Sequence, residues 1–145
     1  MEYDTERFST VPLFEGLASR EISDLLRITQ DVRADEGMEV IRQGQIGDAF
    51  YVIGAGEFEV LKTGKEKVVL ARLQQLSYFG EMSMVSAEPR SASVICVSSG
   101  RLKKFPISKF NKLLDEGNVT AYKVIRNMCR ILAQRLARLE ERFVS

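Results

Sequence analysis

Apolar side chains recur at different spacings along this chain of 145 residues, and the changes of spacing divide it into three zones. In the first zone, residues 1–36, they stand roughly three to four residues apart, which indicates a helix. Ser19 lies where the N-cap of that helix is expected. The apolar positions are Leu17, Ile22, Leu25, Leu26 and Ile28. We therefore predict a helical N-terminal segment over residues 1–36.

The second zone, residues 37–106, is rich in glycine and in short β-type segments, and it holds eight of the ten glycines. Polar and apolar residues alternate over 57–60, as in a half-buried strand. Thr63 and Gly64, flanked by lysines, mark a hairpin tip. Strands are predicted over 38–42, 49–53, 57–62, 67–73, 91–97 and 101–105. Many short strands at nearly even spacing predict a small antiparallel β-roll, a jelly-roll-like barrel.

The third zone, residues 107–145, returns to helical spacing. A short helix is predicted over 108–115, ending before Gly117, and a long helix over 119–143. Along the long helix a seam of residues steps by three and four over three heptads, the a/d spacing of paired helices. The seam consists of Tyr122, Ile125, Cys129, Leu132, Leu136, Leu139 and Phe143. Together the zones predict one domain, mainly β, with N-terminal helices and a long C-terminal helix.

Charge and composition exclude several functions. The 21 Lys and Arg residues nearly balance the 20 Asp and Glu residues, and a net charge of +1 gives no general attraction to nucleic acid or to an anionic membrane. The chain has no His, which removes every imidazole-based catalytic mechanism and the His-rich metal sites of some β-barrels. We therefore predict a non-catalytic protein without a metal or a cofactor.

The cysteines and the N-terminus indicate a cytoplasmic protein. Cys96 lies in an apolar run and Cys129 in a helical pattern, so both are interpreted as small core residues rather than disulfide partners. Residues 1–14 are charged and lack the apolar stretch of a signal peptide. No apolar segment approaches the roughly 20 residues that cross a bilayer. We expect no membrane-spanning segment.

The segment that carries chemistry is 79–94, FGEMSMVSAEPRSASV. Gly80 is predicted to end a strand and release a one-turn helix over 81–85, whose first backbone N–H groups suit an anion. Arg90 adds a guanidinium fork for bidentate contact with phosphate. Glu81, on the helical turn, can accept hydrogen bonds from a hydroxyl. An anion cradle beside a hydroxyl acceptor indicates a ligand with one phosphate and a ribose.

This segment resembles the phosphate-binding cassette of cyclic nucleotide-binding domains, the family of the catabolite activator protein, protein kinase A regulatory subunits and cyclic nucleotide-gated channels. The pattern of that cassette is Phe-Gly-Glu, an aliphatic, a small and an aliphatic residue, a loop, and Pro-Arg-small-Ala-Ser/Thr-Val, which 79–94 follows almost position for position. The resemblance covers about residues 11–140. It extends to 11–17, Gly37, Gly44, 47–48, 51–53 and Gly56.

The resemblance implies roles for individual residues. Glu81 matches the glutamate that binds the ribose 2′-hydroxyl, and Arg90 matches the arginine that pairs with the exocyclic phosphate oxygens. Leu73 matches an apolar position under the purine. The positions that line the sugar and phosphate are Gly80, Met82, Ser83, Ser91 and Ala92. The expected ligand is therefore a 3′,5′-cyclic nucleotide, whose only free ribose hydroxyl is the 2′-hydroxyl.

The sequence restricts the nucleotide base, and the residue that covers that base, less closely than it restricts the phosphate and ribose contacts. A hydroxylated residue at Ser91 occurs in cGMP binders of the family and also in bacterial cAMP sensors, so cAMP is preferred here and cGMP remains the alternative. The lid over the base is expected from the long helix within 128–135. The candidate lid residues are Arg130, Ile131 and Leu132.

The long helix also predicts a partner. The lower part of its seam, with Leu136, Leu139 and Phe143, exceeds what a lid needs, and exposed apolar stripes usually mark a contact. We predict a parallel homodimer through this helix, with a monomer that packs the seam on its own strands as the alternative. No helix-turn-helix follows, so direct DNA binding is not expected, and the sequence does not identify a downstream protein effector.

Three functions are therefore compared. The first is a cyclic nucleotide-binding sensor that signals through movement of the C-terminal helix, either free-standing or part of a larger protein. The second is a dimerisation scaffold on the same fold that binds no nucleotide, and the intact pair of Glu81 and Arg90 argues against it. The third is a jelly-roll enzyme, which the absence of His disfavours. The sequence favours the sensor.

Overall fold

The computed structural model describes residues 2–144, with side chains described from Thr5 to Phe143. Two helices and a short 3₁₀ turn at Pro12–Phe14 precede the sheet, and two helices follow it. In chain order the regular elements are α1 Glu2–Phe8, α2 Ser19–Leu26, β1 Gln30–Ala34, β2 Glu39–Ile41, β3 Ala49–Thr63, β4 Lys67–Leu73, β5 Tyr78–Phe79, β6 Ser93–Pro106, α3 Ile107–Asp115 and α4 Val119–Val144. The order helix, sheet, helix agrees with the three predicted zones.

The strands form an antiparallel sheet in the order β1-β6-β3-β4, with β2 also paired to β6 and β5 to β3. β3 and β4 form the predicted hairpin, with Thr63 opposite Lys67. The longest pairing joins β3 to β6, from Ala49 opposite Pro106 to Leu61 opposite Ser93. The predicted antiparallel β-roll with flanking helices is confirmed.

Two predicted strand breaks are bulges within long strands. The segments 49–53 and 57–62 are one strand, β3, and 91–97 and 101–105 are joined in β6. The register shifts where β3 passes Ala55 and Gly56. A Cβ at Gly100 would lie 2.1 Å from the carbonyl oxygen of Ala55. Glycine therefore permits the two backbones to approach at a bulge, and it does not end either strand.

The N-terminal zone is not entirely helical. Residues Gln30–Ala34 form β1, which pairs with β6 from Gln30 opposite Lys104 to Ala34 opposite Gly100. Polar and apolar residues alternate from Asp31 to Ala34, and Val32 and Ala34 pack into the roll. This alternation spans only four residues, and it follows directly on a helical pattern. The prediction of helix over residues 30–36 is therefore wrong.

Helix α2 begins differently from its prediction. Ala18 is the N-cap and Ser19 is the first helical residue, so Ser19 does not cap the helix. The Ala18 N–H donates to the Glu21 carboxylate at 3.0 Å. The acidic residue three positions after the N-cap thus satisfies the helix start in place of a serine hydroxyl.

Two apolar clusters lie on opposite faces of β3. Phe50 and Val52 point to the cluster that joins the helices to the sheet, and Phe50 stacks on Phe105 with ring centroids 4.6 Å apart. Tyr51 and Ile53 point to the cluster inside the roll. This alternation follows from the two-residue period of a strand. One strand thus connects the helical layer to the interior of the roll.

Helix α4 docks on the helical layer through its first half. Ala121, Val124 and Met128 are fully buried there. The amide of Asn127 donates to the carbonyl oxygens of Leu13 at 2.9 Å and Glu15 at 2.8 Å. These contacts fix the start of α4 against the 3₁₀ turn.

The predicted seam of α4 lies beside this docked face. Ile125 and Leu132 pack against the core, whereas the other five seam residues are exposed, namely Tyr122, Cys129, Leu136, Leu139 and Phe143. The prediction that both cysteines are core residues holds for Cys96 and is wrong for Cys129. Across residues 2–144, no helix is both long and apolar enough to cross a membrane.

Candidate functional site

The segment 79–94 leaves the sheet through a left-handed glycine. Gly80 has φ +82° and follows β5, and the predicted one-turn helix is a 3₁₀ turn over Glu81–Met84. A Cβ at Gly80 would lie 3.0 Å from both Arg90 Nη1 and Ile41 Cδ1. Glycine is therefore favoured at this position both by its backbone conformation and by the side chains around it.

Arg90 is held by backbone and side-chain oxygens from two parts of the chain. Its Nη1 donates to the Gly80 carbonyl and to Ser83 Oγ, each at 2.8 Å, and its Nη2 donates to the Ala49 carbonyl at 2.6 Å. A guanidinium has five N–H donors. The Nε proton and one Nη2 proton therefore have no partner among the described residues, and they are available to an anion.

Burial and charge both act on Arg90. The guanidinium is half-buried, and this burial lowers its pKa, while the negative charges that Tyr51, Asp48 and Glu81 can carry raise it. No histidine or lysine borders it in the cassette. A half-desolvated guanidinium makes a stronger contact with an anion than one in open water, because the surrounding dielectric is lower.

The loop between β2 and β3 forms the wall behind this arginine. The Arg90 N–H donates to the Gln45 carbonyl at 2.7 Å, and the Gly44 N–H donates to the Arg90 carbonyl at 2.9 Å. A Cβ at Gly47 would lie 2.4 Å from Arg90 Cζ and 2.2 Å from Ser83 Oγ. Gly47 therefore leaves the space into which the guanidinium packs.

Glu81 is buried at the start of the 3₁₀ turn and contacts the C-terminal helix. Its Oε1 lies 3.1 Å from Nη1 of Arg135. The Arg135 guanidinium also lies over the Tyr78 ring, 5.8 Å from its centroid. Burial raises the pKa of the Tyr78 phenol, so the ring beneath Arg135 is neutral at neutral pH. Glu81 thus accepts a hydrogen bond from an arginine that the sequence did not place at the site.

One cavity of about 470 Å³ brings these groups together, and that volume is typical of sites for small molecules. Ile41, Val60, Ala71 and Val94 provide apolar surface on its walls. The eight sequence-predicted ligand residues all line it. They are Leu73, Gly80, Glu81, Met82, Ser83, Arg90, Ser91 and Ala92. The cavity therefore combines a cation, a carboxylate and an apolar surface.

Comparison with protein families identifies the domain. The family model described as cyclic nucleotide-binding domain matches residues 31–117, which include the whole of the 79–94 segment. The chain belongs to the cyclic nucleotide-binding domain family. The ligand of this family is a cyclic nucleotide, and the phosphate-binding cassette recognised in the sequence lies within the matched region.

Relatives within the cyclic nucleotide-binding domain family include proteins named for both common cyclic nucleotides. A cAMP-dependent protein kinase regulatory subunit of Mucor circinelloides f. lusitanicus is 40% identical over 111 residues, covering 73% of this chain and 25% of the relative. A cGMP-dependent protein kinase of Plasmodium berghei (strain Anka) is 37% identical over 83 residues, covering 57% of this chain and 9% of the relative. The chain thus spans a quarter or less of the length of these two relatives.

A solved structure of the same fold is that of the catabolite activator protein of Thermus thermophilus. It superposes with a TM-score of 0.82 at 28% identity, covering 91% of this chain and 61% of that protein. Because the superposition covers 91% of this chain, it includes helices as well as the β-roll. It supports the fold deduced from the strand order.

Within this cyclic nucleotide-binding domain, the three candidate lid residues lie away from the cavity. Arg130 pairs with Glu15 at 2.5 Å, and Ile131 and Leu132 pack against the helical layer. Of the α4 residues whose side chains the structure describes, Arg135 alone lines the cavity. Lid roles for Arg130, Ile131 and Leu132 stay predictions, and Arg135 is a site residue that the sequence analysis missed.

The sequence does carry a signal for Arg135. The docked face of α4 steps by three and four residues from Ala121 through Val124 and Met128 to Ile131. The next step of that series is Arg135, so an arginine stands where the pattern calls for an apolar residue. The exposed a/d seam beside it obscured this second series.

Proposed function

We propose that this domain is a non-catalytic regulatory module that binds a 3′,5′-cyclic nucleotide in the cavity of the 79–94 cassette, with cAMP preferred over cGMP. The observation that carries the proposal is the pairing of Arg90 and Glu81 in one cavity. Arg90 contributes two guanidinium donors that have no partner among the described residues, and Glu81 contributes a carboxylate.

Arg90 is assigned to the cyclic phosphate. A cyclic phosphodiester carries one negative charge, which one guanidinium balances through two charge-assisted hydrogen bonds. The Gly80, Ser83 and Ala49 oxygens accept hydrogen bonds from the other guanidinium protons. This fixed orientation lowers the entropy that binding must remove.

Glu81 is assigned to the ribose. Cyclisation between the 3′ and 5′ positions leaves the 2′-hydroxyl as the only free hydroxyl donor, and a carboxylate accepts such a bond. The apolar residues Leu73, Val60 and Ala71 line the same cavity and provide a surface for a purine. Ser91 is exposed at the cavity, where its hydroxyl can contact either an adenine or a guanine base. cGMP is therefore the alternative ligand.

Titration calorimetry with cAMP, cGMP and 5′-AMP tests this proposal. We expect both cyclic nucleotides to bind, cAMP more tightly, and 5′-AMP to bind weakly, because its phosphate carries a second charge and is not held by a ring. Chromatography of the recovered ligand is expected to show no hydrolysis. Absence of binding by every nucleotide would support the scaffold instead, and turnover of the ligand would support an enzyme.

Substitution of Glu81 is expected to weaken binding through the ribose. Glu81→Ala removes a charged acceptor and is expected to lower cAMP affinity by about 1.5–3 kcal/mol. A 2′-deoxy cyclic nucleotide should bind the unsubstituted protein weakly, and the additional effect of Glu81→Ala should largely vanish with it. Additive losses in a calorimetric double-mutant comparison would show that Glu81 acts elsewhere.

The C-terminal helix is proposed to form a parallel homodimer that transmits the signal of ligand binding. Leu136, Leu139 and Phe143 are 58%, 49% and 89% exposed on one side of α4. Burial of such a stripe in a helix pair is favourable because it removes apolar surface from water. Movement of α4 on ligand binding would then change the geometry of the pair.

Light scattering at micromolar concentration tests the dimer. The double substitution Leu136→Glu and Leu139→Glu is expected to give a monomer, because it places charges in the seam. The control Gln134→Glu with Ala137→Glu adds the same charge on the outer side of the helix and should stay dimeric. An unsubstituted protein that remains monomeric with and without nucleotide contradicts the dimer but not the ligand site.

Oxidative crosslinking gives an independent measurement of helix direction. Cys129 is exposed at an a position of the seam, and Cys96 is buried. A parallel pair places the two copies of Cys129 opposite each other, so mild oxidation should yield a disulfide-linked dimer that Cys129→Ser abolishes.

A further inference from the structure

The carboxylate assigned to the ribose already has a partner on another element. Glu81 Oε1 and Arg135 Nη1 are 3.1 Å apart, and the two side chains are 10% and 51% exposed. Both side chains line the cavity. The small accessible part of Glu81 therefore faces the same space from which a ligand hydroxyl would approach.

Arg135 is held at this place from two sides. The apolar residues with which α4 packs on the helical layer end with Met128 and Ile131. Arg135 lies one helical turn further on the same side of the helix, so it is directed toward the roll. The Tyr78 ring lies beneath its guanidinium at 5.8 Å, a distance at which cation–π attraction operates. The ion pair is therefore a contact between α4 and the phosphate-binding cassette, made through a ligand-binding residue.

We propose that Arg135 is an autoinhibitory latch, in which its ion pair with Glu81 holds α4 on the cassette and competes with the ribose 2′-hydroxyl for that carboxylate. This inference rests on the proposed function, since the competitor is the ligand of that site. By thermodynamic linkage, a ligand that occupies Glu81 weakens the attachment of α4 by the same factor by which that attachment weakens the ligand.

The latch makes a specific prediction about affinity. Arg135→Ala is expected to bind cAMP more tightly, by about two- to fivefold, which corresponds to the strength of a half-exposed ion pair. A simple loss of positive charge near an anionic ligand would act in the opposite direction. Arg138→Ala removes the same charge from an exposed position three residues further along α4 and is the matched control, for which unchanged or slightly weaker binding is expected.

The same calorimetric comparison with 2′-deoxy cAMP isolates the competition. This ligand does not need Glu81, so Arg135→Ala should leave its affinity unchanged. In a Glu81→Ala background, Arg135→Ala should likewise have no effect on cAMP. Equal tightening for both ligands would make Arg135 a steric obstacle only, and weaker cAMP binding would make it a ligand contact; either result overturns the latch.

Hydrogen exchange measures the attachment of α4 without ligand. Arg135→Ala is expected to accelerate amide exchange in the turn around residue 135, whereas Arg138→Ala is not. Equal exchange in both variants overturns the latch. If cAMP binds the unsubstituted protein and Arg135→Ala leaves its affinity unchanged, the latch alone fails. If cAMP binds neither protein, the proposed function fails and the competition fails with it.

Discussion

Arg90→Ala is expected to weaken cyclic nucleotide binding by about 2–5 kcal/mol, the largest effect of any single substitution at the site. The guanidinium is half-buried, so the cyclic phosphate would lose a charge-assisted partner in a partly desolvated place. The same change removes the bridge between the Gly80 and Ala49 carbonyl oxygens. The cassette would therefore lose both its anion contact and part of its internal support.

Calorimetry on three variants separates these contributions. Arg90→Lys keeps the charge and lacks the fork, so it is expected to recover only part of the affinity. Arg101→Ala removes an exposed arginine outside the cavity and is expected to bind as the unsubstituted protein does. Binding by Arg90→Ala at full affinity would mean that the anion lies elsewhere.

Gly47→Ala is expected to lower affinity by about 2–4 kcal/mol while leaving the fold intact. The added Cβ would overlap Arg90 Cζ and Ser83 Oγ. Both atoms belong to side chains that can move, so the backbone need not shift, but the guanidinium would leave the position in which the Gly80, Ser83 and Ala49 oxygens hold it. The expected result is a folded protein with an impaired phosphate site.

Gly64→Ala provides the matched control. Gly64 lies at the hairpin tip, where a Cβ meets nothing within 4 Å, and like Gly47 it does not have a positive φ. Thermal melting should give similar midpoints for the two variants, and calorimetry should show weak cAMP binding only for Gly47→Ala. A Gly47→Ala protein that binds normally would show that Arg90 is not fixed by this loop.

The local parts of the site were predictable from the sequence. The residues from Gly80 to Ala92 lie within one short segment. Because the glycine, the turn and the arginine are close in sequence, their spacing alone restricts where each can lie. All of the ligand residues predicted there line the cavity, as does Leu73 on the preceding strand. The spacing of residues within this segment was therefore sufficient to predict the phosphate and ribose contacts.

Contacts between distant segments were not predictable in the same way. Gly47 and Ala49 reach Arg90 only because the loop before β3 folds behind the cassette. Arg135 reaches Glu81 only because Asn127 and the docked series fix the rotation of α4. The edge strand β1 also escaped prediction, since its alternation of polar and apolar residues spans only residues 31–34 and its pairing with β6 joins segments about 70 residues apart.

The anchoring of Asn127 makes the remainder of α4 a lever. Its amide donates to two carbonyl oxygens of the segment around the 3₁₀ turn, which gives the helix a fulcrum about a third of the way along its length. Phe143 lies about 24 Å further along at about 1.5 Å per residue, so a rotation of about 15° at the fulcrum displaces it by about 6 Å. Arg135, beside Glu81, lies about 12 Å from the fulcrum and moves by about 3 Å in the same rotation. A displacement beside Glu81 is thereby about doubled at the free end, where a second protein surface can sense it.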